Sequence, residues 1–281
     1  MRAKTPADLA WRRFSRNKAG VFGVILVALI IAFTMWVTVT QPFPKTSVLD
    51  SSLLPMEDPD HVLGTDIAGR DMVQLLAWGT RTSLIIALGA EIFVVLVSLF
   101  LGFLSGWFGS LIDYVITRVI EVFVAIPPLL FQPLFMIVMG ATVPNLVLAI
   151  GLLSWTETTR LVRAQTLQYR SREFVDAARA LGASTSQIAM WHLLPNTLNP
   201  LIVAVTISIP GIILAESILS FLGYGLTESM PSLGKMIGVS YQYIQAYWHM
   251  ALLPTASLSL LMLGISLLGD GLRDALDPRA G

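Results

Sequence analysis

Uncharged hydrophobic blocks recur along the chain at close to the length of a membrane-spanning helix. The clearest block, residues 21–39, carries no charged residue, and twelve of its side chains are Val, Ile, Leu or Phe. A helix needs about 20 such residues to cross a bilayer. A cleaved signal peptide usually has an apolar region of only about 7–15 residues, so we expect this longer block to remain as a helix.

Five further hydrophobic stretches predict five more transmembrane helices, at residues 83–108, 111–139, 144 to beyond 155, 198–222 and 250–268. Pro127 and Pro128 lie inside the third stretch, and Pro210 lies inside the fifth. Because proline removes a backbone hydrogen bond and bends a helix, we expect these two spans to be kinked and packed against neighbours. The pattern predicts an all-α integral membrane protein with about six transmembrane helices.

Composition supports this fold class and excludes several kinds of site. Of the 281 residues, 55% are hydrophobic and 13% are charged, whereas soluble domains carry about 25% charged residues. The formal net charge is zero, so no basic surface indicates nucleic acid as a partner. The absence of cysteine excludes disulfides, thiolate metal sites and a cysteine nucleophile.

The distribution of Lys and Arg predicts the orientation in the membrane. Six spans put both termini on one side, and 14 of the 18 Lys and Arg residues then share that side. Basic residues concentrate in cytoplasmic segments. We therefore expect cytoplasmic N- and C-termini, with two long loops, residues 40–82 and 223–249, on the outer side.

The longest inner loop, about residues 160–196, predicts a short amphipathic helix. Phe174, Ala177, Ala178 and Leu181 are spaced i, i+3, i+4 and i+7, which places them on one helical face. The helix is too short to fold alone, so this face needs a surface to bury against.

A glycine turn and a second helix follow in the same loop. Gly182 stands where a glycine commonly ends a helix, because it adopts the left-handed conformation without strain. Ser184 and Gln187 have the spacing of a capping box, which begins a helix. Pattern alone leaves two partners open for this unit: lipid headgroups or another protein.

Four segments of the sequence resemble one family of transport proteins. Residues 176–178, Gly182 and residues 194–195 are similar to the EAA loop of ABC importer permeases, with Asp176 in place of the family's Glu. Three further segments resemble the dipeptide and oligopeptide (peptide/nickel) branch, namely residues 63–71, 216–225 and 269–278. The chain is thereby similar to the C-type permease subunit of that branch.

The resemblance implies a type I ABC importer permease fold in the prokaryotic inner membrane. It implies a non-catalytic subunit that forms a heterodimer with a homologous second permease. It also implies two ATP-binding subunits, which bind ATP and Mg, and an extracytoplasmic substrate-binding protein; no cofactor or metal is expected in this chain. The residues that would form the ATPase contact are Glu173, Phe174, Asp176, Ala177, Ala178, Leu181, Gly182, Ala183 and Ser184.

The resemblance also divides the chain into three parts. Residues 1–78 would hold the cytoplasmic tail, the first transmembrane helix and an extracytoplasmic loop. Residues 79–270 would form the permease core with five transmembrane helices and the coupling loop at about 160–196. Residues 271–281 would be a cytoplasmic tail.

The chain lacks a P-loop, so the energy for transport must come from elsewhere. Its one Gly-Lys pair, Gly234-Lys235, is followed by Met236 where the motif needs Ser or Thr. Another subunit or an ion gradient could supply the energy. An ion-coupled secondary transporter and an intramembrane protease therefore stand as alternatives to the importer permease.

Three glutamates lie within or near the spans, where a charge is costly unless it has a partner or faces a cavity. Glu121 follows Arg118 by three residues, so we expect these two to pair. Glu91 and Glu216 are candidates for the substrate path or for a polar contact between subunits. A metal site at His61 is the weaker alternative to a role in loop folding. The sequence leaves the cargo open among dipeptides, oligopeptides, glutathione and nickel complexes.

Overall fold

The computed structural model describes residues 6–43, 54–227 and 230–276, and helices dominate this part of the chain. The α-helices found there are α1 Pro6–Arg16, α2 Lys18–Thr40, α3 Met72–Phe108, α4 Ser110–Ala125, α5 Pro128–Met139, α6 Val143–Arg170, α7 Glu173–Ala180, α8 Thr185–Ile188, α9 Leu194–Phe221, α10 Leu233–Ser240 and α11 His249–Leu276. Within these described ranges no strand is present, and the one bridge joins Thr65 to Asp71. The predicted all-α class is confirmed.

Parts of the predicted tails and of the outer loops lie outside the described residues. These are residues 1–5, 44–53, 228–229 and 277–281.

Four of the described helical stretches are long and apolar enough to cross a membrane: Lys18–Thr40, Met72–Phe108, Thr185–Phe221 and His249–Leu276. The bent pair α4 and α5 makes a fifth if it counts as one span. The predicted fourth span corresponds to α6, which falls outside this apolar set. The reason is that the C-terminal half of α6 carries charged residues, among them Glu157, Arg160 and Arg163.

The third predicted span is broken where its two prolines stand. Helices α4 and α5 meet at an angle of 89° around Ile126 and Pro127, so the expected kink is confirmed. Pro128 begins α5, a position where the missing N–H costs nothing. In the fifth span, Pro200 and Pro210 both lie inside α9.

The hydrophobic core lies where α3, α6, α9 and α11 meet. One fully buried side chain from each helix belongs to this cluster: Ile86, Ile150, Ile213 and Leu261, all 0% exposed. Lipid tails are as apolar as these side chains, so close packing holds such helices together.

Helices α3 and α6 are in backbone contact along a seam of small residues. A Cβ atom on Gly102 would lie 2.9 Å from the carbonyl oxygen of Thr159, and one on Gly106 would lie 2.6 Å from the Cβ of Thr166. The Ser98 hydroxyl donates a hydrogen bond of 3.0 Å to the carbonyl oxygen of Trp155 across the same seam. Small residues permit this approach between membrane helices.

Helices α2 and α11 make a second close pair, which brings the two ends of the described chain together. A Cβ atom on Gly20 would lie 2.9 Å from the Cα of Gly271. The Asn17 side chain donates a hydrogen bond of 2.9 Å to the Asp274 carboxylate. Both ends therefore lie at the same end of the bundle, and the side of the membrane that they face stays a prediction.

The loop before α3 folds on its own polar groups. The Asp66 carboxylate accepts hydrogen bonds from the Arg70 backbone at 2.8 Å and from the Arg70 guanidinium at 2.8 Å. The His61 ring donates to Asp71 at 2.9 Å, and His249 donates to the carbonyl oxygen of Thr65 at 3.0 Å. Among the described residues, no group of three or more His, Cys, Asp or Glu side chains forms a metal site. These contacts fit the loop-folding role for His61.

Candidate functional site

The predicted amphipathic helix is α7, Glu173–Ala180, and it ends in the predicted glycine turn. Gly182 has φ +84°, in the left-handed region that favours glycine. Its N–H donates to the carbonyl oxygen of Arg179 at 2.9 Å, and the Ala183 N–H donates to that of Ala178 at 3.0 Å. This pair of bonds is a Schellman motif, which satisfies carbonyls that the helix end leaves free.

The second helix begins with the predicted capping box. The Gln187 side chain accepts from the Ser184 N–H at 2.7 Å, and the Ser184 hydroxyl accepts from the Gln187 N–H at 3.3 Å. From Thr185 the chain continues through α8, the π turn Ala189–Leu193 and α9 as one stretch of 37 residues that ends at Phe221. The turn at Gly182 therefore connects α7 directly to a membrane helix.

Helix α7 is fixed to the end of α3 by a small apolar cluster. Val175 is 0% exposed and Ala178 is 7% exposed, and both pack with Trp107, Ile188 and Leu193. Val175 is absent from the predicted contact residues, because its contact with Trp107 joins distant parts of the chain. In addition, the Arg179 guanidinium lies 4.9 Å above the Trp107 ring, a cation–π contact.

The opposite side of α7 is exposed. Leu181 is 89% exposed, Phe174 is 39% exposed, and Ala177 lies between them on the same stripe. We expected Ala178 on this stripe as well, but it turns inwards because Trp107 covers that edge of the helix. The other predicted contact residues Glu173, Asp176, Gly182 and Ser184 are exposed, and Ala183 is half-buried.

Two residues of the π turn, neither of them among the predicted contact residues, extend this exposed apolar surface. Met190 is 62% exposed and Trp191 is 77% exposed. The Phe174 and His192 rings lie 6.1 Å apart, so the π turn stands beside α7. The signal in the sequence is the Met-Trp pair at residues 190–191, which stands within the predicted inner loop.

An ion pair between Arg163 and Asp113 connects α6 to α4 near the end of α3 that carries Trp107. The Arg163 guanidinium donates two hydrogen bonds to Asp113, of 2.5 and 2.7 Å, and thereby ties α6 to α4. The Ser105 hydroxyl of α3 donates to the same carboxylate at 2.5 Å. Two parallel bonds between guanidinium and carboxylate fix the geometry of the pair.

Glu216 is enclosed by this chain's own hydroxyl groups. It is 0% exposed, and its carboxylate accepts from Ser83 at 2.8 Å and from Ser220 at 2.7 Å. The Ser83 oxygen also accepts from the Leu233 N–H at 3.4 Å, which brings α10 into the network. The carboxylate thus has its partners inside the chain, and a role of Glu216 in the substrate path or an inter-subunit contact stays a prediction. Glu121 pairs with Arg118 at 2.5 Å, as expected.

Glu91 has a different environment, at the edge of a cleft. It is 3% exposed, and the Ser208 hydroxyl donates to its Oε2 at 2.9 Å. Its other oxygen, Oε1, is buried without a hydrogen-bond partner. The cleft has a volume of about 350 Å³ and lies between α3, α6 and α9. Of the two candidate glutamates, Glu91 is the one that lines this cleft.

Comparison with known proteins identifies the family. Residues 98–281, more than half of the chain, match the family described as binding-protein-dependent transport system inner membrane component. The chain belongs to this family. Over residues 5–55 this inner membrane component also matches the N-terminal TM domain of oligopeptide transport permease C.

Three relatives align with this inner membrane component over nearly their full length. The dipeptide transport system permease protein DppC of Bacillus subtilis is 37% identical, over 96% of this chain and 85% of that protein. The oligopeptide transport system permease protein OppC of Haemophilus influenzae is 35% identical, over 96% and 88%. The glutathione transport system permease protein GsiD of Pectobacterium atrosepticum is 34% identical, over 98% and 92%. The resemblance to the C-type permeases of the peptide branch is confirmed.

A solved structure shares the fold of this inner membrane component. It is a chain of the MetNI methionine ABC transporter in an inward-facing conformation, with a TM-score of 0.58 at 21% identity. The match covers 73% of this chain and 98% of that chain. The ABC permease fold is thus confirmed, and the chain is a non-catalytic, multi-pass permease subunit of the inner membrane.

Proposed function

We propose that this permease subunit forms half of the pathway of an ATP-driven peptide importer, and that α7 receives the force that switches the pathway. The observation that carries the proposal is the division of α7 into two sides. One side is fixed to Trp107 through Val175 and Ala178, and the other presents Phe174 and Leu181 to the surroundings.

The fixed side supports transmission of force into the membrane. Helix α7 is attached to α3 through Trp107 and to α9 through the turn at Gly182 and the capping box at Ser184. Because interiors packed in this way resist compression, a push on α7 moves α3 and α9 rather than deforming the contact. These two helices form two walls of the cleft at Glu91.

The exposed side supports a protein partner. Leu181, Phe174, Met190 and Trp191 together expose large apolar side chains at one end of the bundle. Contiguous exposed apolar patches mark interaction sites. The exposed acid Glu173 borders this patch and offers charge complementarity to a basic rim on the partner. The neighbouring Asp176 carboxylate pairs with Arg179 at 3.3 Å. The partner in this proposal is a separate ATPase subunit, which binds ATP and Mg.

The relatives support the cargo and the remaining partners. Two of the relatives carry names that state dipeptide or oligopeptide transport, and one states glutathione, which is itself a small peptide. The family description names dependence on a binding protein. The proposed assembly is this chain, a homologous second permease, two ATPase subunits and an extracytoplasmic binding protein that delivers a di- or oligopeptide.

The experiment co-purifies the assembly and then measures transport in proteoliposomes that contain ATP. Leu181→Glu places a charge in the centre of the exposed patch, so we expect the ATPase subunits to be lost during purification and uptake of a labelled dipeptide to fall at least tenfold. Met56→Glu is the matched control, because Met56 is 81% exposed in the loop before α3.

Two results would contradict the proposal. Retention of the ATPase subunits and normal uptake by Leu181→Glu would remove α7 as the contact. Uptake that continues without ATP and stops when the proton gradient is collapsed would favour an ion-coupled transporter instead.

A further inference from the structure

The cleft at Glu91 lies near the middle of three membrane helices. Glu91 stands near the centre of the 37-residue α3, Glu157 is contributed by α6, and Gly211 is contributed by α9. The cleft reaches the surface of the chain, because Glu157 and Gly211 are exposed. Its volume, about 350 Å³, exceeds that of a single water molecule, about 30 Å³, roughly tenfold.

The lining of the cleft has acceptors and negative charge but no cation. Besides the two glutamates it includes four hydroxyl-bearing residues, and none of its lining residues is Lys, Arg or His. The four are Ser154, Thr156, Thr158 and Ser208. Two carboxylates in such a site attract positive charge, and the attraction is stronger where water is scarce.

One oxygen of Glu91 has no hydrogen-bond partner among the described residues. Ser208 satisfies Oε2, but Oε1 is buried and has no donor. A buried acceptor without a donor costs about 1–3 kcal/mol, and an ionisable side chain within a membrane span is costly in itself. A donor that enters the cleft would relieve this cost. Glu216, by contrast, accepts hydrogen bonds from donors within the chain and does not line this cleft.

The donor set of the cleft suits an ammonium group better than a divalent metal ion. Calcium takes six to eight oxygen ligands and magnesium six in near-octahedral geometry. The described residues contain no cluster of three His, Cys, Asp or Glu side chains that would hold such an ion. A primary ammonium needs only three acceptors, which two carboxylates and one hydroxyl supply.

We propose that the cleft between α3, α6 and α9 binds the primary ammonium group of the cargo, with Glu91 Oε1 as its principal acceptor and Glu157 as the second charge. This inference rests on the proposed function, since it assigns the ammonium to a transported peptide. A Cβ atom at Gly211 would meet nothing within 4 Å, so this position of the lining borders open space.

The transport experiment separates the two ammonium groups that a peptide can carry. The complete assembly is reconstituted, and uptake is measured for a tripeptide with a free N-terminus, for its N-acetylated form, and for an N-acetylated form that contains lysine. Glu91→Gln keeps the shape and removes the charge. Glu121→Gln, at an exposed ion pair, is the matched control.

We expect Glu91→Gln to reduce uptake of the peptides that carry an ammonium about tenfold or more, the effect of losing a charge-assisted hydrogen bond. Uptake of the uncharged acetylated peptide should change less than twofold. Comparing each variant with wild type on the same peptide cancels any preference of the binding protein. Equal effects on all three peptides, or no effect on any, would overturn the ammonium site.

A second measurement tests charge selection by the cleft without any transport. The chain has no cysteine, so Gly211→Cys places a unique thiol in the open space of the cleft. Its modification by a cationic and by an anionic methanethiosulfonate reagent is followed from the mass of this chain. We expect the ratio of the cationic to the anionic rate to fall at least fivefold when Glu91→Gln is added, and glycinamide to protect the thiol.

The outcomes distinguish this inference from the proposed function. An unchanged ratio of rates, or protection by sodium but not by glycinamide, would overturn the ammonium site and leave the importer intact. A wild-type assembly that imports no peptide would refute the proposed function, while the thiol assay would still decide whether the cleft selects cations.

Discussion

At the scale of single residues, the proposed coupling depends on the backbone conformation of Gly182. Its φ of +84° is reached without strain by glycine, and no atom lies within 4 Å of where a Cβ would stand. A side chain here therefore acts through backbone strain alone, and not through a clash.

We predict that Gly182→Val uncouples ATP hydrolysis from transport. The left-handed conformation costs a non-glycine residue about 1–2 kcal/mol, and a β-branched side chain is among the least suited to it. The turn should then open and change the angle between α7 and α8, while membrane insertion stays normal. The measurement is the number of ATP molecules hydrolysed per peptide imported.

Gly182→Asn is the matched control for this prediction, because asparagine tolerates the left-handed region. It should couple nearly as well as wild type. A Gly182→Val assembly that imports at the wild-type ratio would show that the turn has no part in coupling.

Also at this scale, Glu216 is predicted to stabilise the fold. Glu216→Ala leaves the buried hydroxyls of Ser83 and Ser220 without their acceptor. At about 1–3 kcal/mol for each unsatisfied group, the free energy of unfolding should fall by about 2–6 kcal/mol. The thermal midpoint in detergent measures the loss.

Glu216→Gln keeps one acceptor oxygen and should lose less. Glu121→Ala, which breaks an exposed ion pair, should change stability by only about 0–1 kcal/mol. If Glu216→Ala melted like wild type and failed only in transport, Glu216 would belong to the substrate path after all.

At the scale of elements, the seam between α3 and α6 depends on the absence of side chains. We predict that Gly102→Leu destabilises the chain by about 1–3 kcal/mol or more, because a Cβ there would already lie 2.7 Å from the Cβ of Val162. Thermal unfolding in detergent is the measurement.

Gly211→Ala is the matched control, since its Cβ enters open space inside a helix. Replacing glycine by alanine in a helix interior gains about 0.5–1 kcal/mol, so this variant should be neutral or more stable. If Gly102→Leu and wild type unfolded at the same temperature, α3 and α6 would not be in the contact described.

The elements also show which features a sequence can reveal. The stop at Gly182, the capping box at Ser184 and the break at Pro127 all depend on residues within one or two helical turns, so their local pattern predicts them. The pair of Asp113 and Arg163 joins residues 50 positions apart, and no local pattern signals it.

Three other features were also missed. Ala178 was expected on the exposed stripe, and its inward turn depends on Trp107, a residue of another helix. Helix α10, Leu233–Ser240, lies within a predicted outer loop. Its eight residues are too few to show a repeating apolar pattern in the sequence. The enclosure of Glu216 likewise requires α3 and α10 to meet α9, which only the folded chain shows.

At the scale of the whole molecule, both ends of the described chain lie together, as the bond between Asn17 and Asp274 shows. We predict that this end faces the cytoplasm. Because the chain lacks cysteine, the variants Asn17→Cys, Asp274→Cys and Leu181→Cys each carry one reactive thiol.

In membranes that hold this chain without the ATPase subunits, all three thiols should react with a membrane-impermeant reagent in inside-out vesicles and remain unmodified in intact cells. Met56→Cys, in the loop before α3, should show the reverse pattern and serves as the control. Modification of Leu181→Cys from outside the cell would exclude α7 from any contact with a cytoplasmic ATPase.

The unbroken stretch from Thr185 to Phe221 has a mechanical consequence. At a rise of 1.5 Å per residue, its 37 residues measure about 55 Å, longer than the hydrocarbon thickness of a bilayer. A tilt of about 5° at the α7 end would displace the far end by roughly 5 Å and the region of Gly211 by roughly 3 Å. Such leverage turns a small rotation at the membrane surface into a shift of the wall that carries Ser208, large enough to break its 2.9 Å bond to Glu91.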